Sequence, residues 1–214
     1  MNAVARSGTV RELHELDLLA VAADAPRVWW LRPDDAAIVL GSRQHEDLVD
    51  LDECDRLGLG VVRRRSGGGA VLVVPDQLIW IDIVAPPGVA PDDVRGSMIW
   101  AGELWQAALS RFVGDDRLTV HRGPMRHTSW SELVCFAGLG PGELLLDGRK
   151  LVGLSQRRTR NGIRIQGSLY RAAPTIDVAR LLRPPLPAAP LPEVATLAVD
   201  AAALADSLAT ALAG

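Results

Sequence analysis

Between residues 27 and 86 the sequence is a succession of short apolar runs, each cut by a turn signal, and no other feature limits the fold as much. Residues 27–32 (RVWWLR), 36–41 (AAIVLG), 61–65 (VVRRR), 70–74 (AVLVV) and 78–86 (LIWIDIVAP) are rich in β-branched and aromatic side chains. Runs of that length are short for helices, and their composition fits a pleated, buried surface. Residues 143–146 and 164–170 read the same way, and 130–136 is expected to be a further strand. Asp147-Gly148 between two such runs is a hairpin turn signal.

Helical spacing appears at fewer places. Residues 11–22 put Leu13, Leu16, Leu19 and Ala20 on one face before Pro26, and 50–58 run from an Asp cap to Gly58. Residues 92–112 space Val94, Met98, Trp105, Leu109 and Phe112 over one broad face. Residues 176–182 look helical, 184–192 are a Pro-rich linker, and 200–213 form an alanine-rich helix. Strand runs with helices clustered at a few points predict an α+β fold, a mixed or antiparallel sheet with helices packed mainly on one face. Residues 1–183 are expected to form the main domain, with 184–214 packed on it or extending it.

Composition removes several classes. A net charge of -3 argues against general affinity for nucleic acid or anionic membrane. No apolar run approaches the roughly 18 residues that span a bilayer, and the N-terminus has no hydrophobic stretch after its Arg. Two cysteines, Cys54 and Cys135, make neither a disulfide framework nor a metal cluster, and the four histidines lack zinc-ligand spacing. No metal site is expected, and a reduced, cytoplasmic setting is the simplest expectation.

Of 23 basic residues a single one, Lys150, is lysine. In a chain that fills charged positions with arginine, a retained lysine marks a place where a compact ammonium is required. It lies in the run Asp147-Gly148-Arg149-Lys150-Leu151-Val152-Gly153-Leu154-Ser155. Regular alternation predicts that Lys150 shares a face with Val152 and Leu154, while Gly153 and Ser155 point the other way. A second stretch, Arg63-Arg64-Arg65-Ser66-Gly67-Gly68-Gly69-Ala70-Val71-Leu72, removes three consecutive Cβ atoms from a strand-to-strand loop. Its backbone N–H groups can then close on an anion.

Together these stretches resemble the biotin/lipoate protein ligase superfamily, in its lipoate–protein ligase A branch. The shared motifs are RRRSGGGAV, DGRKLVGLSQRR and IQGSL, with Ile38-Val39-Leu40-Gly41-Ser42-Arg43-Gln44 similar to an upstream family strand. The resemblance runs from about residue 28 to about residue 171. It implies the family's catalytic-domain fold and ATP-dependent activation of lipoate or octanoate to an acyl-adenylate, with Mg²⁺. The acyl group would then pass to a lysine of a lipoyl-domain acceptor protein, with a separate accessory subunit as a further expected partner. By family position Lys150 would be the catalytic cation. Arg64, Ser66, Gly67, Gly68, Gly69, Ala70, Val71, Leu72, Gly153 and Ser155 would hold the nucleotide or acyl-adenylate. This sequence differs from the family after Val71, where Leu72-Val73-Val74-Pro75 replaces an aromatic-His-Asp run. It also has Gly140-Pro141-Gly142-Glu143 where an Arg-Asn-Asp motif is expected.

Cys135-Phe136 resembles a pair found in octanoyltransferases of the same superfamily. It implies a second route, in which Cys135 carries an octanoyl thioester taken from acyl carrier protein without ATP. A third reading is a non-catalytic module that binds an acyl group or acyl-nucleotide.

Overall fold

The structure, a computed structural model, describes residues 2–21 and 24–214. It begins with β1 (Val4–Gly8), α1 (Val10–Glu15) and α2 (Leu18–Val21), then β2 (Arg27–Pro33), β3 (Ala37–Leu40), α3 (Leu51–Arg56), β4 (Gly60–Arg63), β5 (Val71–Val73) and β6 (Leu78–Ala85). After the long α4 (Val94–Val113) come β7 (Leu118–Val120), β8 (Leu144–Leu146), β9 (Arg149–Thr159), β10 (Gly162–Tyr170) and α5 (Ala201–Ala213).

Seven strands make one sheet in the order β1-β2-β6-β10-β9-β8-β7, and β4-β3-β5 make a second. Both are mixed, since β1 runs parallel to β2 and β3 parallel to β4. One face of the large sheet carries Ile79, Ile81, Ile83, Ile163 and Ile165 against Trp105, Ala108 and Leu109 of α4 and Leu204 and Leu208 of α5. The other face carries Trp80 and Val84, packed with Leu13 of α1 and with Val39, Val62 and Val73 of the small sheet. Helices therefore cover one face, as expected, and the small sheet with α1 and α2 covers the other. Between those last two layers lies the site.

Four expectations are corrected. The helix predicted over 11–22 is two short helices, because Leu16 turns to extended angles (φ -51°, ψ 125°); its last residue lies outside the described residues. Residues 130–136 are turns and a 3-10 turn Cys135–Ala137, not a strand. Ala70 and Val134 form only an isolated bridge, so the apolar run seals a loop. The helix expected over 176–182 reduces to a 3-10 turn Val178–Leu181 capped by Asp177. Two strands were not expected: β1 (VARSG) lacks apolar alternation, and β7 (LTV) alternates over three residues only.

The fourth correction is the one that matters for function. The Asp147-Gly148 turn forms as expected, with φ of 50° and 79° at its two residues, the pattern of a tight two-residue hairpin. Just beyond it Leu145 faces Lys150 but Leu144 faces Val152, so Leu151 is an extra residue in β9. That bulge reverses the alternation. Leu151 and Val152 both enter the core beneath α4. Lys150 is carried to the face of Gly153, where a Cβ would lie 3.5 Å from the Lys150 Cε.

Candidate functional site

Arg64 is the centre of the glycine loop. Its buried guanidinium donates to the carbonyls of Gly67 (2.7 Å), Gly69 (2.8 Å) and Val39 (3.2 Å), so it curls the loop around itself from within. Gly68 at φ 99° and Gly69, whose Cβ would meet the Val134–Cys135 backbone at 2.7 Å, accommodate that curl. No hydrogen bond is donated by the N–H groups of Gly67, Gly68 or Gly69 among the described residues. Ala70 differs, since its N–H is bound to the Leu133 carbonyl at 2.8 Å.

The loop is stitched to the Cys135 segment. Cys135 donates its N–H to Ala70 O at 2.9 Å, and Gln44 donates its amide to the Glu132 and Leu133 carbonyls. This gives the Gly41–Gln44 segment a physical role. It clamps the turn that presents Cys135, whose Sγ would lie 3.8 Å from a Cβ on Gly68.

Lys150 sits opposite, on the bulged start of β9. Its ammonium contacts Glu143 Oε2 at 2.7 Å and donates to Gly138 O at 2.8 Å and Cys135 O at 2.9 Å, with the Phe136 ring 5.2 Å away. Glu143 accepts in turn from the N–H groups of Gly140 (2.7 Å) and Leu154 (3.1 Å). Gly142, at φ 84°, lets this loop press against Met98 and Gly102 of α4, which fixes where Glu143 emerges. Glu143 was invisible as a site residue. A motif departure was the sole sequence signal, and its meaning required the fold.

Two cavities meet here. One is an apolar slot between the sheets, walled by Val39, Val71, Val73, Leu78, Trp80 and His14. The other is an open cleft of about 340 Å³, walled by Gly67, Gly68, Gly69, Arg95, Met98 and Lys150. Cys135, Leu154 and Ser155 line both and so mark the junction. Ser155 is tied to the glycine loop by Ser66, 3.0 Å away, which also donates to Gln166 Oε1 at 2.6 Å.

The site residues expected from the sequence therefore divide. Gly67, Gly68, Gly69, Ser155, Cys135 and Lys150 come together at the cleft, Arg64, Val71 and Gly153 line the slot, and Arg64 and Ser66 also hold the loop from below. Ala70 and Leu72 are buried on the far side, in the cluster containing Ile38 and Val134. His14, one of the four histidines without zinc-ligand spacing, also lines the slot.

The large mixed sheet, with α4 and α5 on one face and the small sheet on the other, is the fold of solved lipoate and biotin ligases. The chain belongs to the lipoyl protein ligase A/B catalytic domain family, which matches residues 14–186. Lipoate–protein ligase A bound with ATP superposes with a TM-score of 0.71 at 17% identity, over 98% of this chain and 82% of that one. A lipoate protein ligase of Thermoplasma acidophilum with bound lipoic acid gives 0.69 at 18%, over 99% and 84%. A further structure describes that organism's ligase as bi-partite, with its E2 lipoyl domain, at 0.68, 17% identity, 99% and 82%. The biotin protein ligase of Leishmania major with biotinyl-5-AMP is more distant, at 0.55, 8%, 99% and 72%. No curated protein matches the sequence. Among the described residues no helix is long and apolar enough to cross a membrane, and no cluster of three metal-binding side chains occurs.

Proposed function

We propose that the chain is an acyl-lysine ligase. Lipoate, or octanoate, enters the slot tail first, its carboxylate attacks the α-phosphate of ATP, and pyrophosphate leaves. The lysine of a lipoyl domain then attacks the acyl-adenylate carbonyl and AMP departs. One observation carries this reading: Gly67, Gly68 and Gly69, whose N–H groups donate no hydrogen bond among the described residues, line the same cleft as Lys150, beside an apolar slot.

Each group would then have a defined task. The three amides suit phosphate oxygens, and the buried Arg64 charge beneath them strengthens the cradle. Lys150 already has three partners, so it acts by turning an N–H from Cys135 O or Gly138 O towards the carboxylate and later the developing oxyanion. Glu143, the carboxylate lining the cleft, is filled by Lys150 and two amides, so Mg²⁺ would ride on the nucleotide phosphates. The bi-partite relative and its lipoyl domain suggest the acceptor class and a separate accessory subunit for this chain as well.

A second reading has its own observation. Cys135 lines both the slot and the cleft, where a thiolate would reach an acyl carbonyl. In that route Sγ attacks octanoyl-carrier thioester, the carrier thiol leaves, and the acceptor lysine later displaces Cys135. Pyrophosphate release with lipoate, octanoate and biotin, scored together with mass gain on a lipoyl domain, tests the choice. Acyl-domain formation that needs ATP supports the ligase; formation from octanoyl carrier protein without ATP overturns it.

A further inference from the structure

The slot is not uniformly apolar. His14 lines it, its ring tilted by 35° against that of Trp80 with centroids 4.3 Å apart, and its Nδ1 lies 3.3 Å from Gln166 Nε2. Gln166 is itself oriented by Ser66. Their 2.6 Å separation fits O–H···O and is too short for N–H···O, so the Ser66 hydroxyl donates to Oε1 and the amide nitrogen faces His14. Gln166 Nε2 therefore donates to Nδ1, and the neutral ring keeps its proton on Nε2. That N–H has no partner among the described residues.

The ring stays neutral. Burial, and then the guanidinium groups of Arg164 and Arg64, push His14 down to about 3. Its backbone is fixed too, because Arg164, paired with Asp82 at 2.6 Å, donates to the carbonyls of Leu13 (3.2 Å) and Leu16 (3.0 Å) on either side. His14 and Trp80 stand over β6, while the junction residues Leu154 and Ser155 belong to β9, with β10 between. An acyl group whose head lies at the junction thus brings its tail towards His14.

We propose that His14 determines acyl specificity, its Nε2–H donating to an acceptor atom in the tail of the bound acid, so that a dithiolane tail is preferred to a plain hydrocarbon one. This rests on the acyl-slot reading above. An acid without an acceptor would cover the N–H without pairing it, which disfavours its binding. Sulfur is a weak acceptor, so the expected preference is about three- to tenfold.

Calorimetric titration of the full chain separates hydrogen bonding from shape. Lipoate is compared with octanoate and with 5-cyclopentylpentanoate, which keeps the ring but lacks sulfur. Wild type should bind lipoate about three- to tenfold more tightly than either. His14→Leu should bring the three affinities within about twofold, and His14→Gln, which retains an N–H, should restore part of the preference. Equal affinities in wild type overturn the proposal without recourse to any variant. An unchanged preference in a folded His14→Leu, or a loss common to all three acids, also overturns it. If none of the acids gives heat with wild type at either of two well-separated temperatures, where the heat-capacity change of apolar burial would reveal binding, the acyl-slot reading itself fails.

Discussion

Lys150 and Glu143 form an ion pair 2.7 Å long that is almost closed to solvent, with side-chain exposures of 6% and 5%. Neither residue is an ordinary surface charge held by a turn. The bulge at Leu151 turns the lysine inward, and the Gly140–Gly142 loop delivers the carboxylate to meet it. Backbone groups from three segments complete the coordination of both ends. A charge pair assembled this thoroughly is fixed in position before any substrate arrives.

Removing one member should therefore cost stability as well as activity. Lys150→Ala leaves Glu143 buried without its counter-charge, and such losses run to about 3–5 kcal/mol. Urea unfolding should show that drop, with Glu143→Gln in the same chain recovering a part of it. Lys150→Arg should lose acyl transfer too, because a planar fork cannot occupy the compact ammonium's place between two carbonyls and a carboxylate. Near-normal turnover by the arginine variant would sink the assigned role.

How much of this could be read in advance depended on the range of the interaction concerned. The hairpin at Asp147-Gly148, the glycine loop and the long α4 rest on local backbone preference, and each stands where the sequence put it. Lys150 was identified by its singularity, yet its face was misread, because a bulge is set by how β8 and β9 pair and leaves no mark in alternation. His14 and Glu143 were missed as site residues for a related reason. Each becomes meaningful only beside partners far away in the chain, Gln166 and Trp80 for the one, Lys150 and Leu154 for the other. Arg64 was expected on the ligand; it lines the slot, and its guanidinium also binds the loop carbonyls of Gly67 and Gly69, a second role that only the fold shows.

The glycine loop should be intolerant of side chains for two different reasons. Gly68→Val requires a β-branched residue at φ 99° and a Cβ 2.9 Å from Arg64 Nη2, so it should distort the cradle and abolish nucleotide binding. Gly69→Ala pushes against the Val134–Cys135 backbone, so it should also displace the junction. Gly67 has open space around its Cβ position, and Gly67→Ala should be the mildest of the three. Calorimetric titration with a non-hydrolysable lipoyl-adenylate analogue would rank them; equal affinities across the set would mean that the loop is only a connector.

Cys135→Ser separates the two chemical routes. Its carbonyl and N–H hold Lys150 and Ala70 through the backbone, and a hydroxyl in place of the thiol leaves both bonds possible. In an ATP-dependent ligase the variant should keep most of its activity, and intact-protein mass spectrometry of wild type with octanoyl carrier protein should show no adduct. Loss of all turnover, together with an octanoyl thioester on wild type, would assign the reaction to Cys135.

Acid stability should report on His14. Its imidazole is neutral in the folded chain, pushed down to about 3 chiefly by burial and then by Arg164 and Arg64, whereas an unfolded chain has the ordinary value of 6.5. Between those values the unfolded state binds a proton that the folded state refuses. Stability from this group is thus complete above about pH 6.5 and falls as the pH drops towards about 3. At pH 5 the loss should be about 2 kcal/mol. Other groups titrate over the same range, so the informative quantity is a difference. Urea unfolding of wild type and His14→Leu, each at pH 7.5 and pH 5, isolates it, because leucine cannot take up the proton in either state. The variant should lose about 2 kcal/mol less than wild type on acidification. Parallel losses in the two proteins would show that His14 accepts a proton in the folded chain as readily as in the unfolded one, and the neutral donor in the slot would then be wrong.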